Sequence, residues 1–135
     1  MIRLKVSEIA HAVNGRVVGD GDLEVEAGVE IDSRLIKPGF LFVAKPGEQT
    51  DGHNFAGAAI DAGASALLVE RELDVSVPQV IVADVVVALG LIATEVLRRL
   101  REASKLTDIG ITGSNGKTST KNMLRAALSQ FGETI

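Results

Sequence analysis

Chemistry is concentrated in one run of the chain: Gly110-Ile111-Thr112-Gly113-Ser114-Asn115-Gly116-Lys117-Thr118-Ser119. Glycines allow the backbone to curl until successive N–H groups point at one anion. A helix beginning at Lys117 would add the partial positive charge of its N-terminus. In that setting Lys117 reaches the β- and γ-phosphates of a nucleotide, and the Thr118 hydroxyl is placed to ligate Mg²⁺. The strict spacing G-x-x-x-x-G-K-[ST] is not met, because Ile111 stands where its first glycine belongs. The plainer alternative is a glycine-rich strand-to-helix turn carrying an exposed lysine.

A second polar block lies upstream: Asp32-Ser33-Arg34 and, later, Asp51-Gly52-His53. By residue type alone these read as a solvated charged turn, a turn dipeptide and a surface histidine. His11 falls in a helical stretch and reads as structural or exposed.

The phosphate loop needs a strand before it and a helix after it. Residues 108–112 are predicted as that strand and 117–131 as that helix, with Met123, Leu124, Ala127, Leu128 and Phe131 facing inward. Asp84 is expected to cap the longest helix, over residues 85–103, whose stripe is Val85, Leu89, Ile92, Val96 and Leu100. Upstream, Ser7 is expected to cap a helix to Val13, with Gly15 as its left-handed terminator. Alternation from Val25 to Ile31 predicts one half-buried strand. Further strands are expected at 40–44, 66–69 and 79–82, with a helix at 55–62 closed by Gly63. Strand, helix and strand at that spacing imply parallel pairing. The fold class is therefore α/β: a small mixed-sheet domain over residues 1–83, then the first helix, strand and phosphate loop of a second domain over 84–135.

Composition narrows the field. The 135 residues are 46% hydrophobic and 24% charged, which fits a globular chain rather than a disordered one. No apolar run is long enough to span a bilayer, and no membrane partner is expected. Cysteine is absent, so disulfides and thiolate metal sites are excluded. A net charge of −4 and only four aromatic residues, all Phe, argue against a nucleic-acid partner. Charged residues Arg3, Lys5 and Glu8 interrupt the start, so no signal peptide is read there and a cytoplasmic location is expected.

Thr112-Gly113-Ser114-Asn115-Gly116-Lys117-Thr118-Ser119 resembles the ATP loop of the Mur ligases of peptidoglycan synthesis, a family that uses this variant spacing. The upstream block supports the same family. Asp32-Ser33-Arg34, Pro38-Gly39, Leu41-Phe42-Val43-Ala44, Gly47 and Asp51-Gly52-His53, continuing into Phe55 and Gly63-Ala64, are similar to the N-terminal domain of the branches that add the third residue and the terminal dipeptide. Gly113-Ser114-Asn115 followed by Thr120-Lys121-Asn122-Met123, with no Tyr in the chain, favours the dipeptide-adding branch. Ile31 and Phe40 depart from the family pattern.

The resemblance implies an ATP-dependent amide ligase that joins D-Ala-D-Ala to UDP-N-acetylmuramoyl-tripeptide through an acyl phosphate. It implies Lys117 as the catalytic group, ATP contacts from Gly113, Ser114, Asn115, Gly116, Lys117, Thr118 and Ser119, and Mg²⁺ at Thr118. It implies uridine or diphosphate contacts from Ser33 and Arg34, with Asp51, Gly52 and His53 in the neighbouring loop. The chain stops 18 residues after Lys117, so it is expected to hold the UDP-sugar domain (1–83) and an incomplete ATP domain (84–135). Alone it is expected to be inactive, and to self-associate through the exposed 117–131 helix, whereas the full-length enzyme is expected to be a monomer. The alternatives are the third-residue-adding branch, another superfamily member such as a folylpolyglutamate synthetase, and a non-catalytic nucleotide-binding or interaction module.

Overall fold

The structure is a computed structural model describing residues 3–47, 50–103, 107 and 109–132. Leu4–Lys5 (β1) runs straight into Val6–Val13 (α1). The helix starts ahead of Ser7, because Val6 is itself a fully buried core residue. Its first turn is closed by Glu8, whose Oε2 accepts the Lys5 backbone N–H at 2.8 Å. The Ser7 N–H goes instead to the Gly21 carbonyl, 2.9 Å away. At the far end Asn14, not Gly15, takes the left-handed conformation, with φ 52°. Gly15 is required for another reason: a Cβ there would lie 2.7 Å from Val80 Cγ1.

Nine further elements follow: Arg16–Val18 (β2), Glu24–Val25 (β3), Gly28–Glu30 (β4), Phe40–Val43 (β5), Ala56–Asp61 (α2), Ala64–Val69 (β6), Gln79–Ile81 (β7), Val85–Ala103 (α3) and Lys117–Leu128 (α4). Short 3-10 turns occupy Ser33–Leu35 and Gly52–Phe55. The strand expected over Val25–Ile31 is divided. Val25 pairs with Leu4 in a two-stranded antiparallel ribbon, while β4 joins the main sheet. The period of two survives the break; only the hydrogen-bonding partner changes.

The main sheet has the order β2-β7-β6-β5-β4. β4, β5, β6 and β7 are mutually parallel, and β2 closes one edge antiparallel to β7. Alternate side chains of the central strands go to opposite faces. Leu41, Val43, Ala66, Leu68 and Val80 meet Ile9 and Val13 of α1 and Val85, Ala88 and Ile92 of α3. Phe42, Leu67 and Val69 meet Ala56 and Ala59 of α2 together with Ile36. Both faces are covered, as a parallel sheet requires.

Asp84 caps α3 as expected, its Oδ1 accepting the N–H groups of Val86 and Val87 at 2.7 and 3.0 Å. α3 does not open the second unit, however. Its Val85, Ala88 and Ile92 belong to the first core, and Arg99 bonds Glu8 of α1 at 2.9 Å. The chain divides into compact units Met1–Ser104 and Lys105–Ile135, rather than at Ala83. In the second unit the expected strand is not formed at 109–112, and Asp108 lies outside the described residues. A strand exists only by pairing, and no second strand is present among the described residues of that unit. α4 forms, but the inward face expected for it stays open: Met123 is 67% and Phe131 87% exposed, and α4 holds no buried residue.

Candidate functional site

The parallel strands β4, β5 and β6 all end on the same edge of the sheet, and the loops leaving them form its rim. Ligands of open α/β sheets bind at such carboxyl edges. After β4, the Asp32 carboxylate accepts the Arg34 backbone N–H at 3.0 Å and caps the Ser33–Leu35 turn. The same carboxylate takes Arg34 Nε at 2.9 Å and Nη2 at 2.6 Å. This paired bonding to a guanidinium, with the backbone N–H added, lowers the Asp32 carboxyl to about 2. The arginine side chain is nevertheless 86% exposed, so its outer edge faces solvent in a fixed plane. Ser33 sits half-buried in the same turn.

The loop after β5 is folded tightly on itself. Pro46 bridges Asp51, and the Gly52 N–H donates to the Lys45 carbonyl at 3.1 Å. A Cβ on Gly52 would lie 2.4 Å from that carbonyl oxygen, so only glycine fits. Asp51 Oδ1 accepts the His53 backbone N–H at 3.0 Å and lies 2.6 Å from His53 Nδ1; its Oδ2 accepts Arg71 Nη2 at 2.7 Å. The His53 backbone N–H, then the His53 ring and Arg71, hold the Asp51 carboxyl well below the usual carboxylate range. His53, expected on the surface, is buried, its side chain 1% exposed. Its Nε2 accepts the Glu70 backbone N–H at 2.9 Å. A backbone N–H only donates, so this bond assigns the proton to Nδ1, which donates to Asp51. His11, by contrast, is exposed.

Glu70 and Arg71 were not anticipated. Both follow the apolar run of β6 directly, and a charged pair at the carboxyl end of a buried strand was the available signal. Glu70 serves twice, since its Oε1 also accepts the Val85 N–H at the start of α3 at 3.1 Å.

In the second unit, Gly113 (φ 146°) and Gly116 (φ 77°) adopt backbone conformations that favour glycine, and open space surrounds the Gly116 Cβ position. The first intrahelical acceptor bond of α4 is from the Thr120 N–H to the Gly116 carbonyl, 2.9 Å. The N–H groups of Lys117, Thr118 and Ser119 precede it, the donors that helix N-termini offer to anions. Lys117 Nζ folds back to donate to the Gly113 carbonyl. Ser114 and Asn115 form the exposed bend between the glycines. Thr118 lines a hollow of about 260 Å³ with Ile109, Ile111, Lys117 and Lys121. The loop thus offers unpaired helix-start N–H groups with a lysine beside them, the donor set an anion requires. For Mg²⁺ the candidate here is the Thr118 hydroxyl; no group of three or more acidic or histidine side chains able to hold a metal exists among the described residues.

Thus the structure gathers Ser33 and Arg34 with Asp51, Gly52 and His53 on one sheet edge of the first unit, and Gly113 through Ser119 in one loop of the second.

A parallel-centred sheet with polar loops at its carboxyl edge, followed by a glycine-lysine turn that opens a helix, defines an α/β protein with loops of the kind that nucleotide-binding proteins carry. The chain belongs to the Mur ligase family: it matches the family described as "Mur ligase family, catalytic domain" over residues 27–103. It is 43% identical, over all of its length and 28% of the relative's, to UDP-N-acetylmuramoyl-tripeptide–D-alanyl-D-alanine ligase of Escherichia coli K12. It is 36% identical, over 96% of its length and 26% of the relative's, to UDP-N-acetylmuramoyl-L-alanyl-D-glutamate–2,6-diaminopimelate ligase of Listeria monocytogenes. Among solved structures it resembles MurF from Acinetobacter baumannii, with a TM-score of 0.81 and 32% identity over 96% of this chain and 28% of that one. It also resembles MurF of Thermotoga maritima in complex with ADP, with a TM-score of 0.61 and 33% identity over 76% and 23%. The chain thus spans under a third of the length of these relatives. No helix among the described residues is long and apolar enough to cross a membrane.

Proposed function

We propose that this chain is the N-terminal part of a cytoplasmic, ATP-dependent ligase of the dipeptide-adding type, joining D-Ala-D-Ala to UDP-N-acetylmuramoyl-tripeptide. The observation that carries the reading is the 43% identity to such a ligase across the whole chain. ATP supplies the phosphoryl group that converts the tripeptide carboxylate to an acyl phosphate; the dipeptide amine attacks it, and phosphate leaves. The N–H groups at Gly113 through Ser119 orient the triphosphate. Lys117 exchanges the Gly113 carbonyl for phosphate oxygens and offsets the charge that develops on them. Thr118 would hold Mg²⁺.

At the sheet edge Arg34 presents its outer N–H groups to the diphosphate of the sugar nucleotide, and Ser33 adds a hydroxyl. Asp51, Gly52 and His53 shape the adjoining wall. The first unit, Met1–Ser104 with α3 packed into its core, carries the sugar-nucleotide contacts in this reading, and Lys105–Ile135 open the ATP-binding part. The chain alone binds without ligating, the full-length enzyme acts as a monomer, and the open face of α4 lets this chain self-associate, which light scattering across concentration tests. The third-residue-adding ligase is the second reading, favoured by the 36% identity to one of that type.

Calorimetric titration of the 135-residue chain decides. Heat with UDP-N-acetylmuramoyl-tripeptide, lost in Arg34→Ala, is expected. Binding of ATP–Mg²⁺ without any binding of the sugar nucleotide would overturn the assignment to the sheet edge. Preference for UDP-N-acetylmuramoyl-dipeptide over the tripeptide would favour the second reading.

A further inference from the structure

His53 lies in the candidate sugar-nucleotide loop, yet its geometry is not that of a ligand contact. The side chain is 1% exposed, and both ring nitrogens are committed: Nδ1 to Asp51 at 2.6 Å and Nε2 to the Glu70 N–H at 2.9 Å. We infer that His53 is a positioning residue. As the neutral Nδ1–H tautomer it fastens the loop after β5 to the end of β6, setting where Asp51 and Gly52 stand, and it touches no ligand itself.

Three observations converge on this role. Asp51 Oδ1 receives two bonds from His53, backbone and ring, while Oδ2 is held by Arg71; the carboxylate has one orientation. The Gly52 backbone is pressed against Lys45 with no room for a Cβ, so the loop has no slack to absorb a shift of Asp51. Glu70 gives its N–H to His53 and takes the Val85 N–H on its carboxylate at 3.1 Å. One residue therefore links the loop to the first turn of α3. A ring protonated at Nε2 would set N–H against N–H at Glu70 and release the loop. The charged or titratable groups facing the ring are Asp51, Arg71 through Asp51, and Glu70 through its backbone.

The effect on ligand binding rests on the reading of this edge as the sugar-nucleotide site; the effect on the loop does not. The test uses the 135-residue chain with ¹⁵N-labelled histidine. Long-range ¹H–¹⁵N correlation is expected to show His53 protonated at Nδ1 and bare at Nε2; the opposite tautomer, or a doubly protonated ring at neutral pH, overturns the inference.

His53→Gln places an acceptor near Nε2, and His53→Asn a donor near Nδ1. The Glu70 amide is expected to exchange at least about tenfold faster in His53→Asn and His53→Ala, and to stay slow in His53→Gln. Equal exchange in all three overturns the positioning role. With folding verified by circular dichroism at the titration temperature, affinity for UDP-N-acetylmuramoyl-tripeptide is expected to fall about tenfold in His53→Ala, as the loop must be reordered on binding, and to recover in part in the two amide variants. Unchanged affinity in His53→Ala overturns the inference, whereas a wild-type chain that ignores the sugar nucleotide overturns the functional reading and leaves the exchange data to decide the role of His53.

Discussion

Two glycines make opposite predictions under the same Gly→Ala change. At Gly52 the added methyl would sit 2.4 Å from the Lys45 carbonyl oxygen, 2.7 Å from the Lys45 nitrogen and 2.9 Å from the Ala44 carbonyl carbon. All three are backbone atoms, so no side chain can swing away. The Lys45 backbone is itself fixed, its N–H donating to Val43 and its carbonyl accepting from Gly52. The loop must open by more than half an ångström, which breaks the Gly52 bond. Overpacking of this kind costs about 1–3 kcal/mol, and the lost bond adds about 1 kcal/mol, for a total of about 2–4 kcal/mol. At Gly90, in the exposed middle of α3, an added Cβ meets nothing within 4 Å, and Ala removes the helix penalty of glycine, a gain of about 0.5–1 kcal/mol. Urea unfolding followed by circular dichroism measures both. Gly52→Ala is expected to lower the midpoint and Gly90→Ala to raise it. A Gly52→Ala chain as stable as wild type would refute the close packing of the loop on Lys45.

Phe42 is fully buried and Phe131 is 87% exposed: Phe42→Ala is expected to cost about 3–5 kcal/mol, and Phe131→Ala less than about 0.5 kcal/mol, in the same unfolding assay. Asp84→Ala removes the cap of α3 and is expected to cost about 1 kcal/mol, with faster amide exchange at Val86 and Val87. Acid is expected to destabilise the chain. Asp51, Asp32, Glu8 and Glu95 all have carboxyls depressed by hydrogen-bonded partners, to about 2 for Asp32 and Glu95. Such groups stabilise the fold fully above their unfolded values, near pH 4, and lose that contribution as pH falls through the folded ones. The thermal midpoint should therefore hold steady from about pH 7 to 5 and drop from about pH 4 to 2; a flat profile to pH 2 would contradict the pairings.

The chain itself fixes a good deal. Local signals are written in neighbouring residues: Asp84 before an apolar stripe, Gly63 after a short helix, apolar runs at 41–43 and 66–69 that read as buried strands. The candidate phosphate loop is of this kind, since two glycines, a lysine and a helix start suffice to shape it, and these lie within a few residues of one another. The parallel pairing of β5 and β6 follows from the helix between them.

What only the tertiary structure decides is partnership at a distance. Residues 25–31 keep their alternation whichever strand they pair with, so the switch from β1 to β5 is invisible in the pattern. The assignment of α3 to the first unit depends on Ala88 and Ile92 meeting α1 and on Arg99 reaching Glu8, contacts between opposite ends of that unit. A strand at 109–112 needs a neighbour, and periodicity carries no record of whether one is present. His53 shows the same limit at the site: its residue type announces chemistry, but its burial, its tautomer and its task come from Glu70, seventeen residues away and brought beside it by the parallel register of β5 and β6.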